Sequence, residues 1–206
     1  YDATKLIAMG GRAAIPAMAP TDRGAVNDRL SGVKWLEHIV DWAMKYHASE
    51  FVDYLSGGSL WLAVHISPFN KPFDYNPVRD DYIDDFCLLY GEVAAEMVAD
   101  RTGVDPLVIS TEGGVYSPKH MLDLTFPVEG GWVLDDSGRR LYNDDSWGDY
   151  LVRVFNFLAS RDRKIPVCCW TFSDERVQDQ RWLWCGWYDA DGNPRSPVNA
   201  LSGGGA

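Results

Sequence analysis

The sequence is short of the residues and segments that several classes of protein need. Lysine and arginine total 19 against 30 aspartate and glutamate, which gives a formal net charge of −11. Surfaces that bind nucleic acid or anionic membranes need clustered cations, so we expect neither as a partner. No apolar run reaches the roughly 20 residues of a membrane span. No basic-then-apolar leader opens the printed sequence.

Cysteine is also scarce, with four residues at Cys87, Cys168, Cys169 and Cys185. They form no Cys-x-x-Cys pair and no Cys/His spacing of zinc-site type. Cys168 and Cys169 are adjacent, so on a strand they point to opposite faces, and we expect them to be small buried hydrophobic side chains. The sequence therefore predicts neither a metal site nor a cofactor.

Aromatic side chains, in contrast, are plentiful, with nine tryptophans, ten tyrosines and eight phenylalanines among 206 residues. Tryptophan combines a large flat apolar face with one N–H donor. Many tryptophans in an acidic chain are typical of a sugar-binding cleft, although a core built with tryptophan gives the same composition. Composition alone leaves both interpretations open.

Four short apolar segments alternate with segments of helical periodicity. The predicted strands are 13–20, 59–66, 106–111 and 165–172, and the predicted helices are about 27–55, 83–98, 147–158 and 198–201. Strands that are apolar throughout are typical of a parallel sheet covered on both faces. The order predicts an α/β protein, either an open doubly wound sheet or a (β/α) barrel. A long irregular loop with a turn at 135–138 is expected over about 115–142.

Polar side chains follow the ends of three of these strands. His65 and Asn70 follow the second strand, Glu112 follows the third, and Asp174 follows the fourth. Active sites of barrels lie at the carboxyl ends of the strands. We therefore favour the barrel, although four strands make only half of one.

Glu112 is the strongest catalytic candidate. It is a lone carboxylate at the end of an apolar strand, and the two glycines after it let backbone or ligand approach closely. A buried carboxylate needs partners, or its pKa shifts and it neutralises. At a barrel mouth it can act as nucleophile or as general acid/base. The alternative is a glutamate that caps a loop or pairs with an arginine.

The other candidates each have a structural alternative. His65 can be a core histidine satisfied by one hydrogen bond, and Trp170 can be core packing or a stacking platform for a sugar ring. Tyr116 lies in a loop on the same expected face and can simply pack there. Asp174 can be a solvated or capping carboxylate, or it can touch substrate.

Taken in order, these segments resemble the C-terminal half of a clan A glycoside hydrolase, one of the retaining (β/α)8 enzymes that include cellulases and mannanases. The run Ile109-Ser110-Thr111-Glu112-Gly113-Gly114 is similar to the seventh strand of that clan, which ends in the nucleophile. Trp170 fits an eighth-strand tryptophan that floors the subsite of the reacting sugar. His65-Ile66-Ser67 is similar to a sixth-strand His-x-Tyr element, with serine in place of the tyrosine. Residues 184–195 resemble the turn before the final helix.

The resemblance implies a (β/α)8 TIM barrel of which this chain covers about strands five to eight. Residues 1–201 are then the C-terminal half of a single catalytic domain, and 202–206 are a flexible tail. It implies a retaining glycosidase of β-linked oligo- or polysaccharide with Glu112 as nucleophile, with His65, Asn70, Tyr116, Trp170 and Asp174 as substrate contacts. The acid/base glutamate is expected before residue 1, so the partner is the N-terminal half of the barrel and the chain alone is inactive. Secretion is expected by analogy only.

Two alternatives stay open. One is a noncatalytic carbohydrate-binding barrel that keeps the aromatic cleft without the acid pair. The other is a metal-dependent barrel hydrolase, with a ligand set at His65, His120, Glu112 and Asp174. Such metal sites usually draw a histidine or lysine from the fifth strand as well, and segment 13–20 has neither.

Overall fold

A computed structural model of the chain describes residues 3–17, 32–76, 87–169 and 184–203. Its strands are β1 (Ala13–Ile15), β2 (Leu60–Ile66), β3 (Val108–Gly113), β4 (Val128–Glu129), β5 (Trp132–Leu134), β6 (Arg140–Tyr142) and β7 (Val167–Cys169). Its helices are α1 (Ala3–Ala8), α2 (Gly32–Ser56), α3 (Tyr90–Thr102), α4 (Pro118–Asp123), α5 (Trp147–Ser160) and α6 (Ser196–Gly203). No helix in these ranges is both long and apolar enough to cross a membrane.

The main sheet has four parallel strands in the order β1-β2-β3-β7. Each corresponds to one predicted strand, so the α/β class and the strand order along the chain are confirmed. β1 pairs with β2 in the register Ala13 to Leu60. It ends at Ile15, before Pro16, because proline has no N–H to donate to a ladder. The ends predicted for the first and last strands, 18–20 and 170–172, lie outside the described residues.

The chain divides into two compact units. Unit 1 comprises Tyr1–Ile66, Asp74–Thr111 and Ile165–Val167, and unit 2 comprises Ser67–Phe73, Glu112–Lys164 and Cys168–Ala206. Unit 1 therefore contains α1, α2, α3 and most of the main sheet. Unit 2 contains the segments that follow the carboxyl ends of β2, β3 and β7.

The core of unit 1 lies between β2 and α3. β2 alternates strictly along its length: Leu60, Leu62, Val64 and Ile66 are buried, whereas Trp61, Ala63 and His65 are half-buried. The expected cover on both faces is thus complete on one face of β2 and partial on the other. Gly91 brings α3 close to the buried face, because a Cβ there would lie 3.1 Å from Cδ1 of Ile66.

The helices of unit 1 are shorter or more bent than their sequence patterns predict. α2 has non-helical dihedral angles at His47 (φ −142°, ψ 30°), within the segment predicted as one continuous helix. α3 begins at Tyr90, and the predicted helical positions 83–86 lie outside the described residues. It ends at Thr102, four residues beyond the predicted segment, and is capped by Gly103, whose φ of 71° suits glycine.

The prediction of an irregular loop over 115–142 is wrong, because half of this segment of unit 2 is regular. It contains α4 and a three-stranded antiparallel sheet, β4-β5-β6. The predicted turn at 135–138 is confirmed and connects β5 to β6, with Gly138 N–H donating to the Asp135 carbonyl at 2.9 Å. Strands of two or three residues are too short to show a hydrophobic period.

The C-terminal part of unit 2 ends in a helix pair. α5 packs against α6 at Gly148, whose N–H donates to Oγ of Ser196 at 2.9 Å. α6 continues to Gly203, so the first two residues of the segment predicted as a tail are helical.

The cysteines follow the predicted alternation but not the predicted burial. All four are free thiols; Cys87 and Cys185 are buried, Cys169 is intermediate and Cys168 is exposed. Cys168 is therefore not the buried hydrophobic side chain that the sequence predicts. Burial raises the pKa of the Cys169 thiol to about 11, so it stays protonated at neutral pH.

Candidate functional site

Glu112 lies at the carboxyl end of β3, as the next-to-last residue of the strand, and is half-buried. Gly114, two residues later, has a φ of 96°, and a Cβ there would lie 3.2 Å from Sγ of Cys169. The glycine at this position therefore makes room for the β7 side chain and permits a left-handed turn. It therefore serves packing within unit 2. The close approach of a ligand, which the sequence also suggested, stays a prediction.

Tyr116 is the nearest candidate to Glu112 along the chain. Burial raises the pKa of the Tyr116 phenol well above its ordinary value, and the charges of Cys185 and Glu112 raise it further. The phenol is therefore protonated at neutral pH. A protonated phenol within electrostatic range of a carboxylate can donate a hydrogen bond to that carboxylate or to a ligand on it.

The loop that carries Tyr116 is held by ring contacts and by backbone hydrogen bonds. The Tyr116 ring lies 5.4 Å from that of Phe69 and 5.0 Å from that of His120. The Tyr142 hydroxyl donates to the Tyr116 carbonyl at 3.0 Å. Nε1 of the buried Trp147 donates to the carbonyl of Val115 at 2.7 Å. These contacts fix the loop directly after Glu112.

Asn70 is buried in the loop after β2, which also belongs to unit 2. Its Nδ2 donates to Oδ1 of Asp136 at 2.7 Å, and Nζ of Lys71 donates to Oδ2 of the same carboxylate at 2.7 Å. Oδ1 of Asn70 and Oγ of Ser67 are buried and have no hydrogen-bond partner in the described part of the chain. Such buried polar atoms normally have a protein or water partner, so this loop has hydrogen-bonding capacity left for a ligand.

His65 lies in unit 1, on the half-buried face of β2. The residue after it, Ile66, donates its N–H to Oγ of Ser110 at 3.1 Å, which ties the end of β2 to β3 two residues before Glu112. Glu112, Asn70 and Tyr116 all belong to unit 2. The predicted contacts Trp170 and Asp174 lie outside the described residues.

The metal-site alternative gains no geometric support in the ranges that the structure describes. No group of three His, Cys, Asp or Glu side chains there is arranged to hold a metal ion. His120 is fully buried in α4, its backbone N–H donates to the Ser117 hydroxyl at 3.2 Å, and its ring packs on Tyr116. Asp174 belongs to the stretch that is not described.

Sequence reasoning missed Phe69, the residue directly before Asn70, whose ring contacts the ring of Tyr116. Phe69 has a φ of 43° and is 6% exposed. A bulky residue with positive φ is an outlier, so nothing in residue preferences points to it. Backbone strain of this kind often occurs at functional sites.

The turn and helix expected from the closing stretch are present. Asp189 Oδ1 accepts from the N–H groups of Asp191 and Asn193 at 3.0 and 2.8 Å, and α6 follows. No protein-family model matches the chain, and no curated protein shows significant sequence similarity to it. Any function therefore has to be argued from the residues and their geometry.

Proposed function

We propose that this chain is the C-terminal half of a retaining (β/α)8 glycoside hydrolase that cleaves β-linked oligo- or polysaccharide, with Glu112 as nucleophile. One observation carries the proposal. A half-buried carboxylate lies at the carboxyl end of an inner strand of a four-stranded parallel sheet, four residues before Tyr116, whose ring packs against that of Phe69 in the same unit. Catalytic groups of (β/α) barrels occupy this end of the strands.

The proposed reaction has two steps. A carboxylate oxygen of Glu112 attacks the anomeric carbon, the bond from that carbon to the leaving oxygen breaks, and a second carboxylic acid protonates the leaving group. Water, deprotonated by that second group, then attacks the anomeric carbon and releases Glu112 from its ester. Both carboxyl groups are thereby restored and the configuration is retained.

Retaining enzymes hold the two carboxyl groups about 5–5.5 Å apart. We assign the second carboxyl group to the N-terminal half of the barrel, which would be the partner of this chain. The other side chains then have supporting roles. Tyr116 supplies a protonated donor, and Asn70 a buried carbonyl oxygen without a partner among the described residues. His65, Trp170 and Asp174 remain proposed substrate contacts.

The test compares the whole enzyme with its Glu112→Gln variant on β-glucan and β-mannan. Glutamine keeps the shape of the side chain but forms no glycosyl ester, so turnover is expected to fall at least about a thousandfold. Glu129→Gln is the matched control, because Glu129 is an exposed glutamate of β4 in the same unit. The anomer formed first, followed by NMR, should keep the configuration of the substrate.

Three outcomes would contradict parts of the proposal. Turnover near that of the unchanged enzyme in Glu112→Gln would remove the nucleophile assignment. Inverted product would remove the covalent step. Saturable sugar binding with no hydrolysis by the whole protein would favour the noncatalytic carbohydrate-binding alternative.

A further inference from the structure

Unit 2 contains a second polar pocket, of about 390 Å³, which the proposed reaction does not use. Its volume lies at the lower end of the range of roughly 300–1,000 Å³ that is typical of small-molecule sites. The side chains that line it include Ser117, Lys119, Asp144, Trp147, Trp184 and Arg195. The pocket is therefore sized for one small ligand and is lined by both signs of charge.

Two cationic side chains of this pocket lie close to the ring of Trp184. Nζ of Lys119 lies 3.1 Å from the centroid of the Trp184 ring, and Cζ of Arg195 lies 5.8 Å from it. Nη1 of Arg195 also donates to the carbonyl of Gly186 at 2.7 Å. A cation on an aromatic face is held in place while its charge remains. Lys119 forms no ion pair with any described residue, so it can bind an anion.

Asp144 is the negatively charged residue that lines the same pocket. Its carboxylate is exposed and is likewise not in an ion pair with a described residue. The pocket thus contains two positive groups and one negative group. A carboxylate only accepts hydrogen bonds, so Asp144 suits the hydroxyl groups of a ligand. A ligand with both one carboxylate and several hydroxyls can bind Lys119 and Asp144 together, beside the guanidinium of Arg195. That guanidinium already donates to Gly186 and lowers the pKa of Asp189 by its charge. A multiply charged anion would be repelled by Asp144.

We propose that this pocket binds an acidic sugar, a uronic acid unit, with its carboxylate on Lys119 and Arg195 and its hydroxyls on Asp144. This inference rests on the proposed glycosidase function and adds a substrate class to it. Ser117 lines the pocket and is five residues after Glu112 in the same unit. Their Cα atoms are therefore at most about 18 Å apart, within the length of a short oligosaccharide.

The experiment measures binding of D-glucuronate, D-glucose and inorganic phosphate to the whole chain by isothermal titration. Glucuronate is expected to bind at least about tenfold more tightly than glucose, because hydrogen bonds to charged groups are the strong ones. Its affinity should fall as salt is added. Lys119→Gln should weaken glucuronate binding about tenfold, and Lys119→Arg should restore it.

Arg140→Gln is the matched control. Cζ of Arg140 lies 5.3 Å from the ring of Trp132, so it forms the same kind of contact in unit 2 without lining the pocket. Equal affinity for glucose and glucuronate, phosphate binding as tight as glucuronate, or an unchanged Lys119→Gln variant would each overturn the proposal. Binding needs no hydrolysis, so the two tests are independent. Glucuronate binding can be absent while Glu112→Gln still abolishes turnover, and glucuronate can bind to the pocket even if the proposed reaction fails.

Discussion

The ring of Phe69 stacks on the ring of Phe126, with centroids 4.8 Å apart and 29° between the planes. Backbone strain lies on both sides of this contact. Among the described non-glycine residues, those with positive φ are Phe69 at 43° and Thr125 at 65°. The stack therefore joins the loop after β2 to the segment after α4, and Phe69 also packs beside Tyr116.

Thr125 occupies a position that favours glycine. Its N–H donates to the Leu122 carbonyl at 3.0 Å, and the N–H of Phe126 donates to the Met121 carbonyl at 3.1 Å, as in a Schellman motif. A left-handed residue with a Cβ costs about 1–2 kcal/mol, and the entropy of glycine offsets roughly half of that. Thr125→Gly should therefore raise the free energy of unfolding in urea by about 0.5–1 kcal/mol.

The reciprocal change at the end of α3 is the control for that measurement. Gly103 has a φ of 71° and open space where a Cβ would be. Gly103→Ala is therefore expected to lower the free energy of unfolding by about 1 kcal/mol. If Thr125→Gly is neutral while Gly103→Ala is destabilising, strain at Thr125 is not the cause.

A substitution of Trp147 tests whether its hydrogen bond to Val115 holds the Tyr116 loop in place. It is 2% exposed, and its Nε1 donates to the Val115 carbonyl at 2.7 Å. Trp147→Phe leaves a buried carbonyl without this donor, which should cost about 1–3 kcal/mol in urea unfolding. Trp42→Phe, at a tryptophan that is 57% exposed, should change stability by less than about 0.5 kcal/mol. Equal effects would contradict the anchoring role.

Gly148 tests the contact between α5 and α6. A Cβ at this position would overlap the backbone carbonyl of Ser196 and lie 2.7 Å from Cβ of Ala200. Gly148→Ala should therefore destabilise by about 1–3 kcal/mol, as overpacking does. Gly203 lies in α6, and no atom is within 4 Å of its Cβ position. Gly203→Ala should therefore leave the free energy of unfolding unchanged or raise it by up to about 1 kcal/mol. The reverse order in urea unfolding would contradict this packing.

Asp135 should make stability depend on acid pH. The Ser137 hydroxyl at 2.6 Å and the Arg139 N–H at 2.8 Å hold the pKa of Asp135 below its ordinary value of 3.8. The unfolded chain therefore binds a proton more readily than the folded one. The stabilisation is complete above about pH 5 and is lost as the pH falls through the lowered pKa.

The measurement is the midpoint of urea unfolding between about pH 5 and pH 2. Asp135→Asn should flatten this dependence, because the group that titrates is removed. Asp123→Asn, at the exposed end of α4, should leave it unchanged. A wild-type slope in Asp135→Asn would show that other carboxylates cause the acid sensitivity.

The pattern of apolar residues in the sequence was sufficient to predict the α/β class, the four strands of the main sheet and the approximate positions of α2, α3 and α5. Each of these strands lies in an apolar segment of six to eight residues, and the helices have a helical period of apolar residues, both of which local sequence shows directly. Glu112 could be predicted at a strand end for the same reason, and the turn at 135–138 from its turn-forming residues Asp-Asp-Ser-Gly. The short strands β4, β5 and β6 could not, because two or three residues have no measurable period.

What only the tertiary structure decided is which distant residues meet. Lys119, Trp184 and Arg195 form one pocket although more than sixty residues separate the first two along the chain. Phe69 is stacked against Phe126 in a strained conformation that no propensity favours. Local preferences act within a few residues, whereas these contacts depend on how the segments pack. The sequence alone determined where a carboxylate ends a strand, and packing decided that a protonated phenol and a pair of cations belong to the same unit.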